Sequence, residues 1–445
     1  MEFINREKEL EFLNEQKEKD QSLALLYGRR RVGKTELIKK FIENKDAYYF
    51  LADTSSKLDQ IRSFSAGLGS YLNDQFLKNQ QLTSWDAVFS YLSKLNREAI
   101  IIIDEFPYLI KEDKSITSVI QKHWDISLKS KSIMLILCGS SISTMENQVL
   151  GVKSPLYGRR TGDWFVKPLK FREVIKFFPS LSLEDVARVY GIFGGIPFYL
   201  KEWDEKIKFK EQLKNIIKRG SIFYNEPYFL VKEELSDPSN YFAVLKAIAS
   251  GERSLGKISS VSGIEIKSIG KYLSVLENLH FVDREVSVTE SNLKKRGLYK
   301  LSDPFLRFWF RYIFPNKNAI ELGNEEAVVN MILNDYDNFM GFVFEDIAKE
   351  IIQDKFSFLE KIGRYWNGQT EIDCVGISKN EIIFAEFKWS KLSRIDAEKI
   401  YVNLVNKSES IKTRGKLKKY VIVCRKAEKK VYENFSVFDL DDFLS

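Results

Sequence analysis

The 445 residues carry 44% hydrophobic and 29% charged side chains, an ordinary balance for a globular chain that can bury a substantial core. A net charge of +7 suits a polyanionic partner without requiring one, and three cysteines in apolar runs, without metal-ligand spacing, argue against a disulfide scaffold or a zinc centre. No uncharged run approaches the length of a membrane span and no apolar leader opens the chain, so a cytoplasmic protein of about two to four domains is expected.

Residues 3–13 read as an amphipathic helix with Asn5 as its cap. Residues 23–27 follow as a short buried strand, and a helix resumes at Glu36. Between them lies Gly28-x4-Gly33-Lys34-Thr35, the spacing of a phosphate-binding loop. Backbone N–H groups and the helix N-terminus would face the phosphates, Lys34 would reach the β/γ oxygens, and the Thr35 hydroxyl would ligate Mg²⁺. Arg31 and Glu36, inside and just past the loop, are counted with the nucleotide-binding residues. The three consecutive arginines 29–31 have no assigned role beyond that.

Residues 46–52 read as a second strand, and a β-branched run at 99–103 closes on Asp104-Glu105. Another apolar run, 133–138, closes on Gly139-Ser140-Ser141. Strands alternating with helices predict a parallel sheet with its ligand at the strand carboxyl ends. Asp104 then stands where a second Mg²⁺ contact belongs, and Glu105 where a group would orient or deprotonate the attacking water. Ser140 is either a γ-phosphate or water contact or a plain strand-end serine. Arg159 and Arg160 lie in a turn-rich segment. They are either an arginine finger lent by the neighbouring subunit of a homo-oligomer or a solvated basic loop.

The core is expected to end at 166, with a helical stretch over 167–238 broken by Gly194-Gly195-Ile196-Pro197. Residues 239–315 read as a winged helix-turn-helix, with Lys267 and Lys271 on the recognition helix and Lys294, Lys295 and Arg296 at the wing. Its use is either DNA contact or docking. Residues 316–324 are the linker expected before a separate α/β unit, 316–445. That unit has a helix at 339–353, strands at 360–366, 370–377 and 381–389, a helix at 393–406 and a strand at 419–424.

Strand alternation puts Glu386 and Lys388 on one face, and a short turn makes the strand ending near Asp373 an antiparallel neighbour. Asp373 and Glu386 would share a divalent cation, with Lys388 beside the attacking water and Glu345 reaching the same ion from the preceding helix. Carboxylates with Mg²⁺ and a lysine suit phosphodiester hydrolysis.

Taken in order, Asn5-Arg6-Glu7, Gly28 to Thr35, Ile103-Asp104-Glu105-Phe106, Cys138-Gly139-Ser140-Ser141, Pro155 to Arg159 and Gly194 to Pro197 resemble the archaeal-type ATPases, a branch of the AAA/STAND P-loop NTPases. The resemblance spans roughly residues 1 to 315. It implies an ASCE-type ATPase core using ATP, a helical lid and a winged helix, with Asn5 and Arg6 near the adenine and Pro197 as the nucleotide-sensing lid motif. The C-terminal pattern is similar to the PD-(D/E)xK nuclease fold, a restriction-endonuclease-like α/β domain often carried by that family.

The expected protein is thus an α/β multidomain ATPase that acts on nucleic acid, with double-stranded DNA as the expected partner, and cleaves it with Mg²⁺. Two alternatives stay open. One is a nucleotide-switched regulator whose C-terminal domain only binds, and the other is a DNA-binding regulator dominated by its winged helix.

Overall fold

The computed structural model describes residues 3–79, 82–128, 132–235, 237–290, 297–413 and 415–444. The wing residues Lys294, Lys295 and Arg296 lie outside them. The chain clusters into two compact units, one of residues 1–168 with 196–198, the other of 169–195 with 199–445.

The first unit is built on five parallel strands: β1 (Ser22–Tyr27), β2 (Ala47–Leu51), β3 (Ala99–Asp104), β4 (Ile133–Gly139) and β5 (Gly162–Phe165). Their order is β2-β3-β4-β1-β5. Every residue of β3 and β4 is buried, as continuous apolar runs covered on both faces require. Leu25, Ile101, Ile103, Leu135 and Leu137 pack on one face against Phe64, Trp85 and Phe89. Because the strands are parallel, their carboxyl ends all reach one edge. Tyr27, Asp104 and Gly139 therefore finish together, and the loops after them share a crevice.

The first helix begins later than its sequence suggests. It runs Glu7–Lys17, and its N-cap is Arg6 in a left-handed conformation without a side-chain cap bond. Asn5 is left-handed as well, so it shapes the turn before the helix rather than capping it.

In the second unit, helices Leu183–Phe193, Phe209–Ile217 and Glu226–Glu234 are followed by helices Ser239–Ala249, Leu255–Ser262 and Ile266–Asn278. An antiparallel hairpin comes next, β6 (Val282–Glu285) with β7 (Leu298–Leu301). The aromatic run after it is buried. Phe305, Phe308, Trp309 and Tyr312 are almost inaccessible, and the Trp309 indole donates to the Tyr224 carbonyl at 3.0 Å.

The expected linker instead contains a helix, Lys317–Glu321, with Ile320 buried. The next helix spans Glu325–Lys355, starting well before the 339 expected of it. Val328, Ile332, Tyr336, Phe339 and Val343 form its buried stripe.

A second sheet completes this unit: β8 (Lys361–Asn367), β9 (Thr370–Ile377), β10 (Glu381–Leu392), β11 (Leu417–Ala427) and β12 (Ser436–Phe438), ordered β12-β11-β10-β9-β8. The first three form an antiparallel meander, and helix Arg394–Ser408 then carries the chain to β11, parallel to β10. No described helix is long and apolar enough to cross a membrane.

Candidate functional site

Leaving β1, the chain turns at Gly28, where a Cβ would stand 2.5 Å from the Val166 carbonyl oxygen. It passes Arg31 in a left-handed conformation and reaches Gly33 at φ 98°, the N-cap of helix Lys34–Ile42. This loop-to-helix path leaves the first N–H groups of the helix without intrahelical partners, as anion binding requires. Lys34 is buried, and its ammonium donates to the carbonyls of Gly28 at 2.9 Å and Arg29 at 3.2 Å.

The Thr35 hydroxyl donates to Asp104 Oδ2 at 2.8 Å, so the residues at the ends of the loop and of β3 meet. Tyr49 donates to the same oxygen at 2.8 Å. Burial first, and then the Asp104 charge, push the Tyr49 hydroxyl far up, which keeps it a donor. Glu105, left-handed at φ 54°, accepts from the Ser140 hydroxyl at 2.6 Å and its amide at 3.3 Å. Ser140 is thus bonded to the carboxylate expected to handle the attacking water.

Arg6 buttresses the loop from behind, donating to the Val32 carbonyl at 3.0 Å and pairing with Glu9 at 2.8 Å. The segment 196–198 belongs to this unit. A Cβ at Gly33 would lie 3.8 Å from Pro197, and the Arg31 guanidinium stands 4.5 Å over the Phe198 ring.

Two expected residues are not brought to this crevice. Glu36 is exposed and pairs with Lys39. Arg159 lies at the amino ends of the strands, the far side of the sheet from the loop, since Thr161 donates to the Leu23 carbonyl just ahead of β5. There its guanidinium is held by Asp125 at 2.9–3.0 Å and by the Pro155 and Tyr157 carbonyls.

The carboxylate pair sits in the second sheet. The β9–β10 register ends with Cys374 facing Ala385, and Asp373 and Glu386 are the next residues on the two strands, near enough for the Glu386 charge to act on Asp373. The Phe387 amide donates to Asp373 Oδ2 at 2.9 Å. Lys388 contacts both acids, at 3.1 Å from Glu386 and 3.9 Å from Asp373.

Burial and then the Glu386 charge hold the Asp373 carboxyl well above its usual range. Burial also opposes ionisation of Glu386, but Lys388 and Lys407 outweigh it and keep that carboxyl low. Of the two, Asp373 is thus the carboxyl that takes up a proton first as pH falls. Lys407, from helix Arg394–Ser408, reaches Glu386 Oε1 at 2.5 Å. Glu345 is engaged by the buried Arg364 at 2.5 Å, and the same guanidinium lies 3.0 Å from Glu371 and 3.9 Å from Asp373.

Lys407 and Arg364 belong to this cluster and were not anticipated. Their partners lie on other elements, and a lone Lys or Arg on an amphipathic element carries no distinguishing signal.

Both places suit a hard divalent ion in donor chemistry: hydroxyl plus carboxylate at Thr35 and Asp104, and two carboxylates at Asp373 and Glu386. Mg²⁺ is commonly held by one or two protein oxygens, with substrate phosphates and water completing the shell. Among the described residues no group of three or more Asp, Glu, His or Cys side chains converges.

A family model for an ATPase domain predominantly from Archaea matches residues 3–203, and one for archaeal and bacterial proteins of unknown function matches 309–400. An uncharacterised protein of Methanocaldococcus jannaschii is 39% identical over 452 aligned positions, covering 99% of this chain and 100% of the relative. An uncharacterised ATP-binding protein of the same organism is 64% identical over 44 residues, 10% of this chain and 75% of that one. In fold, the chain is similar to the Walker-type ATPase of Pyrococcus abyssi: TM-score 0.53 at 21% identity, over 69% of this chain and 96% of that one.

Proposed function

The chain belongs to the family of ATPases found predominantly in Archaea, and from that premise we propose that it couples ATP binding and hydrolysis to cleavage of double-stranded DNA by its C-terminal sheet. The ATPase reading rests on the Gly28–Thr35 loop together with Asp104. Lys34 exchanges the Gly28 and Arg29 carbonyls for phosphate oxygens, which cost less to bind because the ammonium is already buried. Thr35 and Asp104 would hold Mg²⁺, which would neutralise phosphate charge. Glu105 orients the attacking water, and Ser140 fixes the carboxylate that does so. Arg159 faces away from its own loop, so as a finger it serves the nucleotide of a neighbouring copy.

Cleavage is carried by one observation: Asp373 and Glu386 side by side on neighbouring strands with Lys388 touching both. The meander, crossover helix and parallel β11 follow the element order of the PD-(D/E)xK nuclease fold. The acids would hold Mg²⁺, and Lys388 would orient the water and offset the charge that develops on the phosphate. Helices Leu255–Ser262 and Ile266–Asn278 with the β6–β7 hairpin support a winged helix, whose exposed Lys267 and Lys271 would contact phosphates.

The second reading, a switch whose C-terminal domain only binds, is favoured by Lys407, which already neutralises Glu386. Incubation of plasmid DNA with Mg²⁺ or Mn²⁺, with and without ATP, separates the two. Without nucleotide, cleavage is expected from the wild type and from Lys34→Ala; none is expected from Asp373→Ala under any condition. DNA left intact by the wild type under every condition would favour the switch. Lys34→Ala is separately expected to lose about 10³-fold or more of ATP turnover, and unchanged turnover would defeat the ATPase assignment.

A further inference from the structure

The second unit contains a cavity of about 280 Å³ that no part of the proposed reactions uses. Four cationic side chains line it, Arg253, Lys300, Arg307 and Arg311, against a single carboxylate, Glu345. The acids that balance these cations are not on its wall. Lys300 bridges Glu285 and Asp346 at 2.9 Å each, Arg307 pairs with Asp346 at 2.8 Å, Arg253 with Glu285 at 2.8 Å, and Arg311 with Asp335 at 2.6 Å. Glu345 is already committed to Arg364.

After all these pairings two guanidinium nitrogens that are closed to solvent, Arg253 Nε and Arg307 Nη2, have no hydrogen-bond partner among the described residues. A buried charged donor left unmet is costly, and an anion in the cavity that draws these side chains round would relieve that cost. Apart from Ser250, the rest of the wall is apolar or aromatic. Tyr299 and Phe339 are buried, whereas Phe342 is 57% exposed at the rim, with the Arg311 guanidinium 6.0 Å from its ring centre. Convergent donors on an otherwise apolar concave wall are the ordinary composition of a small-molecule site, and the volume is at the low end for one.

We infer that this cavity binds a small organic anion, its phosphate or carboxylate head on Arg253 and Arg307 and its flat or apolar body against Phe342 and Phe339. Arginine forks accept either head group, and the Phe342 and Phe339 rings favour a planar body. The inference is independent of the nucleotide loop and of the Asp373 pair.

Phenyl phosphate and benzoate are the probes, titrated separately into the full-length chain by calorimetry. Saturable binding of at least one is expected, and the tighter of the two identifies the head group. Binding is expected to weaken by about tenfold or more in Arg253→Gln, which removes the donor, and in Ala249→Trp, which fills the cavity without altering charge. It is expected to persist in Lys34→Ala, which separates this cavity from the phosphate loop. Absence of saturable binding by both probes overturns the inference. So does wild-type affinity in either folded variant, or loss of binding in Lys34→Ala. Should one variant fail to fold by circular dichroism, the other decides.

Discussion

A methyl group at Gly195 would stand 1.8 Å from the Leu169 carbonyl oxygen and 2.6 Å from its carbon. The two backbones are joined there, since the Leu169 N–H donates to the Gly195 carbonyl at 2.8 Å, so neither can withdraw without breaking that bond. Gly195→Ala is expected to cost about 3 kcal/mol by urea unfolding. Gly158→Ala is the contrasting case: φ is +75°, yet nothing lies within 4 Å of its Cβ, so only the local conformational cost of about 1 kcal/mol is expected. Equal losses at the two sites would contradict the packing argument. Asp346 carries a different kind of cost. Burial alone would raise its carboxyl, but Arg307 and Lys300 hold it far below the usual carboxylate range. Its folded value thus lies below its unfolded value of 3.8, so the stability it contributes is present above about pH 4 and is lost as pH falls towards the folded value. Asp346→Asn leaves two buried cations short of charge and should destabilise by about 3 kcal/mol at pH 7. The gap between wild type and variant should narrow in unfolding curves recorded below about pH 4. A gap that stays constant down to pH 3 would show that the pair is not the source.

Between residue and domain, the segment after β6 matters because β8 is an edge strand. Val288 donates to the Arg364 carbonyl at 2.9 Å, the Ser287 hydroxyl accepts from the Trp366 amide at 3.3 Å, and the Val288 side chain joins Tyr365, Ile372 and Val375 in the core of the second sheet. Exposed edges invite pairing with foreign strands, and this segment covers one. Val288→Pro removes the donor, so amide exchange at Arg364 to Trp366 should accelerate while β10 keeps its protection; equal exchange in both proteins would rule the cover out. The sequence was most informative where an element announces itself locally. The glycine spacing before Lys34, the all-apolar β3 and β4, and the alternation that puts Glu386 and Lys388 on one face all depend on neighbours in the chain. Elements defined by distant packing were harder. Residues 316–324 look like a linker because Asn, Gly and charge crowd there, yet Ile320 is buried by tertiary contacts. The early start of the long helix was present as the Val328, Ile332, Tyr336 spacing, but Asn and Asp between those positions obscured it. Arg364 and Lys407 had no local signal, since their partners come from other strands and helices.

At the scale of the whole chain, the division into two units has an unusual connection: residues 196–198 belong with 1–168, while their neighbours on both sides belong with the other unit. This tripeptide meets the phosphate loop, with Pro197 beside Gly33 and Phe198 beneath Arg31, whereas Gly195 is bonded to Leu169 in the second unit. Were nucleotide binding to change the loop's conformation, the change would act on a segment tied covalently, one residue away, to the Gly195–Leu169 backbone junction of the second unit. Such a tie transmits force only if it is stiff, and Pro197, with its fixed φ, is the stiff member. A chain of two units need not unfold in one step, so each unit can report separately in calorimetry. At about a hundredfold excess over its Kd, a non-hydrolysable ATP analogue should raise the melting of the first unit by roughly 5–10 °C, by mass action alone. If the tripeptide couples the units, the melting of the second should also rise in the wild type. In Pro197→Gly the first transition should still move with the analogue while the second stays where it is without nucleotide. Both transitions moving together in Pro197→Gly would mean that nucleotide reaches the second unit by another route.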